Sequence, residues 1–399
     1  MKHFSQLIHP ITPDDFFQNY YEKRPLLIQR GNKDYYGSLL SLKAIDDYLS
    51  RQDIEYPGLR LVKDGEELEG STYLKDIPYG TAMFEGIVDN DNMFKFFNEG
   101  ATIVVQGLDR SNKELGAFCR NLSTEIPFTF QSNTYLTPQT SRGFSAHYDT
   151  HDVLCLQISG TKKWKLYDTP VELPTKQQRY QSSKIDSSKA QISLEVELLP
   201  GDLLYVPRGL VHSAETTETT SLHITLGLFP QKWNDYIKYL AGELHNTKLF
   251  RETLPLNLKS ASYDYETMIK KVSDLIIQEF TPAFLAKATS QYATEQVQKR
   301  KSSDSSRLLD IININQVDLD TIVYRRPDIV FEFTTSNGSS EVIFYNKSVK
   351  FPIAVNEALD FVLSSNEFAP KEIPNTLDDK GKLVLVKKLI KEGLLSLNK

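Results

Sequence analysis

Short β-rich runs fill the chain from residue 101 to about residue 230, and they constrain the fold more than any other feature of this 399-residue sequence. The runs are ATIVVQGL, TYLTP, AHYDTHDVLCLQIS, KKWKLYD, ISLEVELL, DLLYVP and SLHITLGLF. Turn signals such as Ser159-Gly160 and Pro200-Gly201 separate them. Because no helical periodicity intervenes, the pattern predicts a sandwich or a barrel rather than a parallel sheet with crossover helices.

The flanks of this stretch set the predicted domain boundaries. Residues 1–95 mix short helical and extended patterns, including a helix with Ser41 as its N-cap. We therefore predict a first domain over residues 1–230, with its barrel core at about 100–230. Within it, the polar stretch 169–190 is interpreted as a surface loop between two strands, and whether it closes over a pocket stays open.

Apolar residues recur at helical spacing in residues 231–300. They are Trp233, Tyr236, Ile237, Leu240 and Leu244, followed by Tyr265, Met268, Ile269, Val272, Leu275, Ile276 and Phe280. The apolar stripes of two amphipathic helices need a surface that buries them, and both the barrel and a second copy of the chain can supply it. We predict a helical region here and expect a homodimer.

Residues 301–399 are interpreted as a small α+β module that resembles a winged helix. Two strand-like runs flank Asn337-Gly338, a dipeptide typical of tight hairpins, and helical patterns follow. The module holds 13 Lys and Arg against 14 Asp and Glu, a net charge of −1. A winged helix that grips a duplex is basic, so we predict packing or protein interaction here and no direct nucleic-acid binding.

Charge and cysteine content exclude several classes of protein. The formal net charge of −6 argues against a chain built to neutralise phosphates. Its two cysteines, Cys119 and Cys155, are too few for a disulfide framework, a zinc finger or an iron–sulfur site. No apolar run approaches the roughly 18 residues that span a bilayer, and the N-terminal residues lack the apolar core of a signal peptide. We predict a cytoplasmic protein without membrane contact.

Two segments of the strand region carry side chains that bind metal ions. In HYD, His147 and Asp149 are two residues apart, so a strand presents them on one face. In GDLLYVPRGLVH, which begins at Gly201, glycine and proline predict a turn, a strand and a second turn before His212. An antiparallel barrel can bring His212 beside the first segment. Two imidazoles and one carboxylate form the facial triad of non-haem Fe(II) oxygenases, and the lack of cysteine disfavours structural zinc.

Residues 133–229 resemble a JmjC-type cupin barrel, in particular the ribosomal-oxygenase group of 2-oxoglutarate-dependent hydroxylases, the cupin-4 family. The second motif follows the general cupin pattern, while the first has HxD where many cupins have HxH. The resemblance implies a mainly β fold with α, a double-stranded β-helix followed by a helical dimerisation region and a winged-helix-like α+β domain. It places His147, Asp149 and His212 at the positions of the iron ligands.

The same resemblance implies a cosubstrate site. Lys162, in GTKKWKLYD, matches the basic residue that receives the distal carboxylate of 2-oxoglutarate. Thr225 matches a hydroxyl that supports this carboxylate, and Asn133 and Tyr135 match further contacts. The physical argument agrees, because a dianion that enters a barrel needs a cation at its far end.

The implied activity is that of a 2-oxoglutarate- and Fe(II)-dependent oxygenase that consumes O₂ and hydroxylates a protein side chain, with an Arg or a His of a ribosomal protein as the expected target. The ligands and the cosubstrate suffice for the central step, so no separate catalytic residue is assigned. A small-molecule hydroxylase, a histone demethylase, a non-catalytic metal-binding cupin and a metal-dependent isomerase stay open as alternatives. Near the motifs, we interpret His151 as a pocket-wall residue and Arg208 as a surface turn residue, while His223 suits either a cosubstrate contact or core packing.

Overall fold

The computed structural model of the chain describes residues 1, 3–179, 191–254, 256, 264–300, 303–336 and 338–398. Within them, contacts group the chain into two units, residues 1–230 and 231–399. The predicted loop 169–190 lies outside the described residues from residue 180 onward.

The first unit combines helices with strands. Its helices are α1 (Phe4–Ile8), α2 (Pro13–Asn19), α3 (Leu42–Leu49), α4 (Asn90–Asn98) and α5 (Lys113–Glu125). Its strands are β1 (Leu26–Ile28), β2 (Leu59–Lys63), β3 (Glu66–Glu67), β4 (Leu74–Tyr79), β5 (Ala82–Val88), β6 (Thr102–Gln106), β7 (Thr129–Thr137), β8 (Asp152–Ser159), β9 (Lys162–Tyr167), β10 (Ile192–Leu198), β11 (Leu203–Val206), β12 (His212–Glu215) and β13 (Ser221–Phe229). The Ser41 side chain accepts a hydrogen bond from the amide of Ala44 at 3.2 Å, which confirms the predicted N-cap of α3.

Two antiparallel sheets build the barrel. The larger has the strand order β1-β11-β8-β13-β7-β6-β2-β3, and the smaller has the order β10-β9-β12. All neighbouring strands in both sheets run antiparallel. This topology confirms the predicted antiparallel β architecture. Strands β4 and β5 pair separately as a hairpin.

Two-residue alternation decides which side chains line the barrel interior. Along β13, Leu222, Ile224, Leu226 and Leu228 belong to the large apolar core that also contains helix residues. The intervening His223 and Thr225 line the interior cavity instead. On β8, Leu154 and Leu156 join the same large core, whereas Val153 and Cys155 pack with Trp164 of the smaller sheet. The larger sheet therefore has one face against the helices and one toward the interior.

Helix α5 corrects the sequence interpretation, which placed no helix between residues 101 and 230. Asn112 caps its N-terminus by accepting a hydrogen bond from the amide of Leu115 at 2.9 Å. Its buried residues Leu115, Phe118, Cys119 and Leu122 follow the spacing i, i+3, i+4 and i+7. They pack into the core beneath the larger sheet. The helical period was thus present, but the surrounding strand patterns obscured it.

The second metal motif forms the predicted turn, strand and turn, with β11 between Gly201 and Pro207 and β12 beginning at His212. Both glycines lie in the left-handed region, Gly201 at φ +93° and Gly209 at φ +88°. A Cβ atom at Gly201 would lie 2.0 Å from the carbonyl oxygen of Asn32, and one at Gly209 would lie 2.3 Å from that of Val171. Conformation and close backbone approach together require glycine at these positions.

The second unit contains α6 (Trp233–Glu243), α7 (Tyr265–Glu279), α8 (Pro282–Gln298), α9 (Arg307–Asn313), α10 (Asn356–Ser364) and α11 (Asp379–Glu392). Its strands are β14 (Val323–Arg325), β15 (Phe331–Ser336), β16 (Ser339–Phe344), β17 (Lys347–Pro352), β18 (Glu367–Phe368) and β19 (Leu395–Ser396). The pairing of β15 with β16 confirms the predicted hairpin, although Asn337 itself lies outside the described residues. A boundary near residue 300 and the winged-helix likeness stay predictions. In the described parts of the chain, no helix is both long and apolar enough to cross a bilayer.

We expect Gly201→Ala to lower the free energy of unfolding by about 3 kcal/mol, because the new methyl group adds a backbone clash to left-handed strain. Gly31→Ala is the matched control, since Gly31 has φ +62° but a Cβ atom added there would meet nothing within 4 Å. It should cost only about 1 kcal/mol, the strain alone. Urea unfolding of both variants measures the difference, and equal losses would contradict the steric argument.

Candidate metal centre

His147 and Asp149 lie in an irregular segment that precedes β8, so the strand predicted across them is wrong. The backbone of this segment bonds instead to the second motif. His147 and His212 form an isolated antiparallel bridge, with reciprocal N–H···O distances of 3.0 and 2.8 Å. The amide of Gly209 donates to the carbonyl oxygen of Asp149 at 3.0 Å. These backbone bonds join two motifs that are distant in sequence.

The bridge brings the three predicted ligand side chains together. One donor atom from each of His147, Asp149 and His212 lies within 4.8 Å of the other two. The Asp149 carboxylate is 3.8 Å from Nε2 of His212, and the two imidazole rings are 4.6 Å apart between centroids. In the described residues, no further His, Cys, Asp or Glu joins this group. A single ion placed among them would keep coordination positions for other ligands.

Hydrogen bonds to the backbone fix the tautomers of both histidines. Nδ1 of His147 lies 2.8 Å from the carbonyl oxygen of Ser145, and Nδ1 of His212 lies 3.0 Å from that of Leu210. A carbonyl oxygen only accepts, so Nδ1 carries the proton in each ring. Nε2 of each ring therefore carries the lone pair, which is the form in which histidine binds a metal ion in most protein metal sites.

The charge states of the group also suit a metal ion. Burial, followed by the neighbouring His147, lowers the pKa of His212 to about 4, so its imidazole is neutral at neutral pH. Burial acts to raise the pKa of Asp149, but His151, His147 and His212 outweigh it and lower that pKa. The neutral imidazole of His212 and the carboxylate of Asp149 fit the donor set of non-haem Fe(II) sites.

The three side chains open onto a cavity of about 340 Å³ inside the barrel. Lys162 lies on its wall with only 3% of its surface exposed. Its ammonium group donates to Oγ1 of Thr137 at 2.8 Å, and none of the described carboxylates forms an ion pair with it. Burial lowers the pKa of Lys162 to about 7. A buried cation without a counter-ion at a cavity is suited to an anionic ligand.

The other predicted cosubstrate residues line the same cavity. The register of β7 and β13 pairs Asn133 with Thr225 and Tyr135 with His223. The rings of Tyr135 and His223 stack with centroids 4.8 Å apart, and Nδ1 of His223 has no hydrogen-bond partner among the described residues. Burial raises the pKa of Tyr135 to about 12, so its hydroxyl stays protonated. The structure thus places every predicted site residue around one cavity.

Sequence reasoning missed Thr137 and misplaced Arg208. Thr137 follows Tyr135 by two residues on β7, so strand alternation was a signal for its position. Arg208 was interpreted as a surface turn residue, but it is only 7% exposed and pairs with Asp152 and Glu22. As expected, His151 lies on the cavity wall, where its ring stacks on Phe229 at 4.7 Å.

Comparisons with known proteins agree with this arrangement. Residues 111–236 match the family model described as the JmjC domain. The chain is 33% identical over 318 residues to the bifunctional lysine-specific demethylase and histidyl-hydroxylase NO66 of Aedes aegypti, across 76% of this chain and 48% of that protein. It is 28% identical over 266 residues to ribosomal oxygenase 1 of Gallus gallus, across 64% of this chain and 42% of that protein. The chain thus spans less than half the length of either relative.

Solved structures of the ribosomal oxygenase YcfD from Escherichia coli share the fold. One matches with a TM-score of 0.58 at 16% identity, across 96% of this chain and 98% of that chain. Another, in complex with cobalt and 2-oxoglutarate, matches with a TM-score of 0.57 at 16% identity, across 97% and 98%. These likenesses confirm the predicted double-stranded β-helix.

We expect Lys162→Met to raise the free energy of unfolding of the ligand-free protein at pH 7 by about 2–4 kcal/mol. The folded-state pKa of about 7 lies below the unfolded value of 10.5, so the unfolded chain binds the proton more tightly. Wild-type stability therefore rises as the pH increases from 7 toward 10.5, and the advantage of the variant shrinks over this range. Urea unfolding of wild type and Lys162→Met at pH 7 and pH 10 measures this difference in stability. Lys163→Met, at an exposed neighbouring position, should change little, and a Lys162→Met variant no more stable than wild type at pH 7 would contradict the prediction.

Proposed function

Because this chain belongs to the JmjC-domain family, we propose that it is a 2-oxoglutarate- and Fe(II)-dependent oxygenase that hydroxylates a side chain of a protein. The observation that carries the proposal is that His147, Asp149 and His212 open onto the same cavity as the buried amine of Lys162, which pairs with no carboxylate of the described residues. The names of the relatives include histidyl-hydroxylase and ribosomal oxygenase. A ribosomal protein is accordingly the proposed substrate, with an Arg or a His side chain as the target.

The three proposed ligands would hold Fe(II) through Nε2 of each histidine and the carboxylate of Asp149. When bound, Fe(II) supplies the O₂-dependent oxidation that is coupled to conversion of 2-oxoglutarate into succinate and CO₂. The protein contributes geometry, since the two Nδ1–H groups and the backbone bridge hold the donors before any ion arrives. No side chain needs to act as an acid or a base.

Lys162 is the proposed partner of the distal carboxylate of 2-oxoglutarate. Its pKa near 7 leaves the free site only partly protonated at neutral pH. A carboxylate beside the amine favours its charged form, so binding of the anion takes up a fraction of a proton. Thr137 holds the amine in place, while Asn133, Tyr135 and Thr225 are the proposed polar contacts along the cosubstrate. An isomerase or a metal-storing cupin gives no reason to bury this lysine.

We expect the purified protein to convert 2-oxoglutarate to succinate in the presence of Fe(II) and O₂, coupled to a +16 Da product on a ribosomal protein. His147→Ala and Asp149→Ala should abolish both, because the triad loses a donor. Lys162→Met should keep metal binding but raise the KM for 2-oxoglutarate by about 30-fold or more, since losing one partner of a buried charge pair costs about 2 kcal/mol or more. Succinate assays and intact-protein mass spectrometry give the readouts.

Lys163→Met is the control for this series, because Lys163 is exposed and pairs with Glu195 on the smaller sheet. Unchanged kinetics in Lys162→Met would contradict the cosubstrate assignment. Turnover with a metabolite extract but none with ribosomal proteins would instead identify a small-molecule hydroxylase.

We also propose that the helical region forms a homodimer. Helix α7 has no buried residue, and its Ile269, Val272 and Ile276 are all more than 40% exposed at helical spacing. Trp233 of α6 is 81% exposed. A second copy of the same region would cover these side chains, which is the role that the family resemblance implies for this part of the chain.

The double variant Ile269→Glu, Ile276→Glu is expected to convert a dimer into a monomer, because it places like charges in the apolar stripe. Size-exclusion chromatography with light scattering measures the mass. Lys270→Glu, on the same helix, tests charge alone and should remain dimeric. A wild-type protein of single-chain mass at micromolar concentration would contradict the proposed dimer.

A further inference from the structure

A buried ion-pair network lies next to the candidate metal centre and consists of Glu22, Asp152, Tyr205 and Arg208. The Arg208 guanidinium bonds Asp152 at 2.8 Å through Nη1 and Glu22 at 2.6 Å through Nη2. The Tyr205 hydroxyl donates to Asp152 at 2.7 Å and accepts from the amide of Glu22 at 2.9 Å. The Asp152 side chain is fully buried, whereas that of Glu22 is 32% exposed. The network therefore reaches from the barrel wall to the surface.

This network is the third link between the two metal motifs. The first is the backbone bridge between His147 and His212, and the second joins Asp149 to Gly209. The third joins Asp152 to Arg208, whose amide also lies 3.4 Å from the same carboxylate. The links follow one another in antiparallel order, so each displacement of one motif against the other strains all three.

Asp152 begins β8 directly after the first motif, and Tyr205 and Arg208 belong to the second, whereas Glu22 is distant from both in sequence. It adopts φ +58°, a left-handed conformation that non-glycine residues avoid. The hydrogen bond from its backbone amide to the Tyr205 hydroxyl and its ion pair with Arg208 hold Glu22 in this conformation. Such strain persists only where the surroundings over-determine the conformation, and it concentrates near functional sites. The turn after α2 is thus tied to the second metal motif.

The charges of the network distinguish Glu22 from the other members. Removing Arg208 leaves the buried Asp152 without a partner, and removing Asp152 leaves the guanidinium buried with less than its full set of acceptors. Removing the Glu22 carboxylate leaves the buried pair of Arg208 and Asp152 intact. A change at Glu22 therefore loosens the network without exposing an unpaired charge in the core.

We propose that Glu22 is a positioning residue for the metal centre: through Arg208 and Asp152 it holds the two motifs at the separation that one metal ion requires. This inference rests on the proposed function, because it presupposes that the triad binds a metal ion. Outer partners of metal ligands usually contribute about 10- to 100-fold to metal affinity. In the described part of the chain, Arg208 and Asp152 form no hydrogen bond with the ligand side chains, so Glu22 acts through intermediate groups and its expected effect lies at the lower end of that range.

The test is Co(II) binding to the metal-free full-length protein, followed by the visible absorption of the bound ion. We expect Glu22→Gln to raise the Kd for Co(II) about tenfold with one ion still bound per chain. Glu125→Gln is the matched control, because that glutamate is 31% exposed and pairs with His3 of the N-terminal segment. Its Kd should equal that of wild type.

Glu22→Gly separates positioning from stability. It removes the carboxylate but also relieves the left-handed strain, so its melting temperature should equal or exceed that of Glu22→Gln while its Kd for Co(II) is raised equally. A Kd that recovers together with stability in Glu22→Gly, or a wild-type Kd in Glu22→Gln, would overturn the inference and leave the proposed function standing. A wild-type protein that binds no Co(II) at the triad would overturn the proposed function instead.

Discussion

The central strands of the larger sheet are covered on both faces, by the helices on one side and by the barrel interior on the other. The rest of the site depends on this constraint. A strand with two covered faces can devote one to apolar packing and the other to chemistry, because side chains alternate. On β13 the leucines and isoleucine pack toward the helices, which leaves His223 and Thr225 for the cavity. Helix α5 supplies part of the cover. Without this helix, the apolar side chains on that face of the sheet would need the barrel interior to bury them.

A second constraint is that backbone atoms do most of the positioning at the candidate metal centre. The bridge between His147 and His212, the bond from Gly209 to Asp149 and the acceptors of both Nδ1–H groups are all main-chain groups. Main-chain hydrogen bonds persist when the side chains of the same residues are substituted, provided that the local backbone conformation is kept. Gly201 and Gly209 maintain that conformation, since a Cβ atom at either would collide with another carbonyl oxygen.

These two constraints explain which features could be predicted from the sequence. Motif spacing and family resemblance placed His147, Asp149, His212 and Lys162 around one site, because short motifs with obligatory glycines encode their own turns. Thr137 was missed because a single threonine forms no recognisable motif. Its spacing of two residues from Tyr135 on the same strand did indicate that it faces the cavity. Arg208 was misplaced, since its burial depends on Asp152 and Glu22, which lie far away in the sequence. Long-range ion pairs leave no local pattern.

The buried charges of this barrel differ in a way that separates structure from function. Arg208 lies between two carboxylates, so its burial is compensated within the protein. Among the described residues, Lys162 has only the Thr137 hydroxyl as a partner, and its lowered pKa follows from burial without a neighbouring carboxylate. A folded chain retains such an uncompensated group at a cost in stability, and an anionic ligand recovers that cost on binding. Arg208 is therefore the proposed tie between the two metal motifs, and Lys162, which pairs with no carboxylate of the described residues, is the proposed partner of a negatively charged molecule that completes the site.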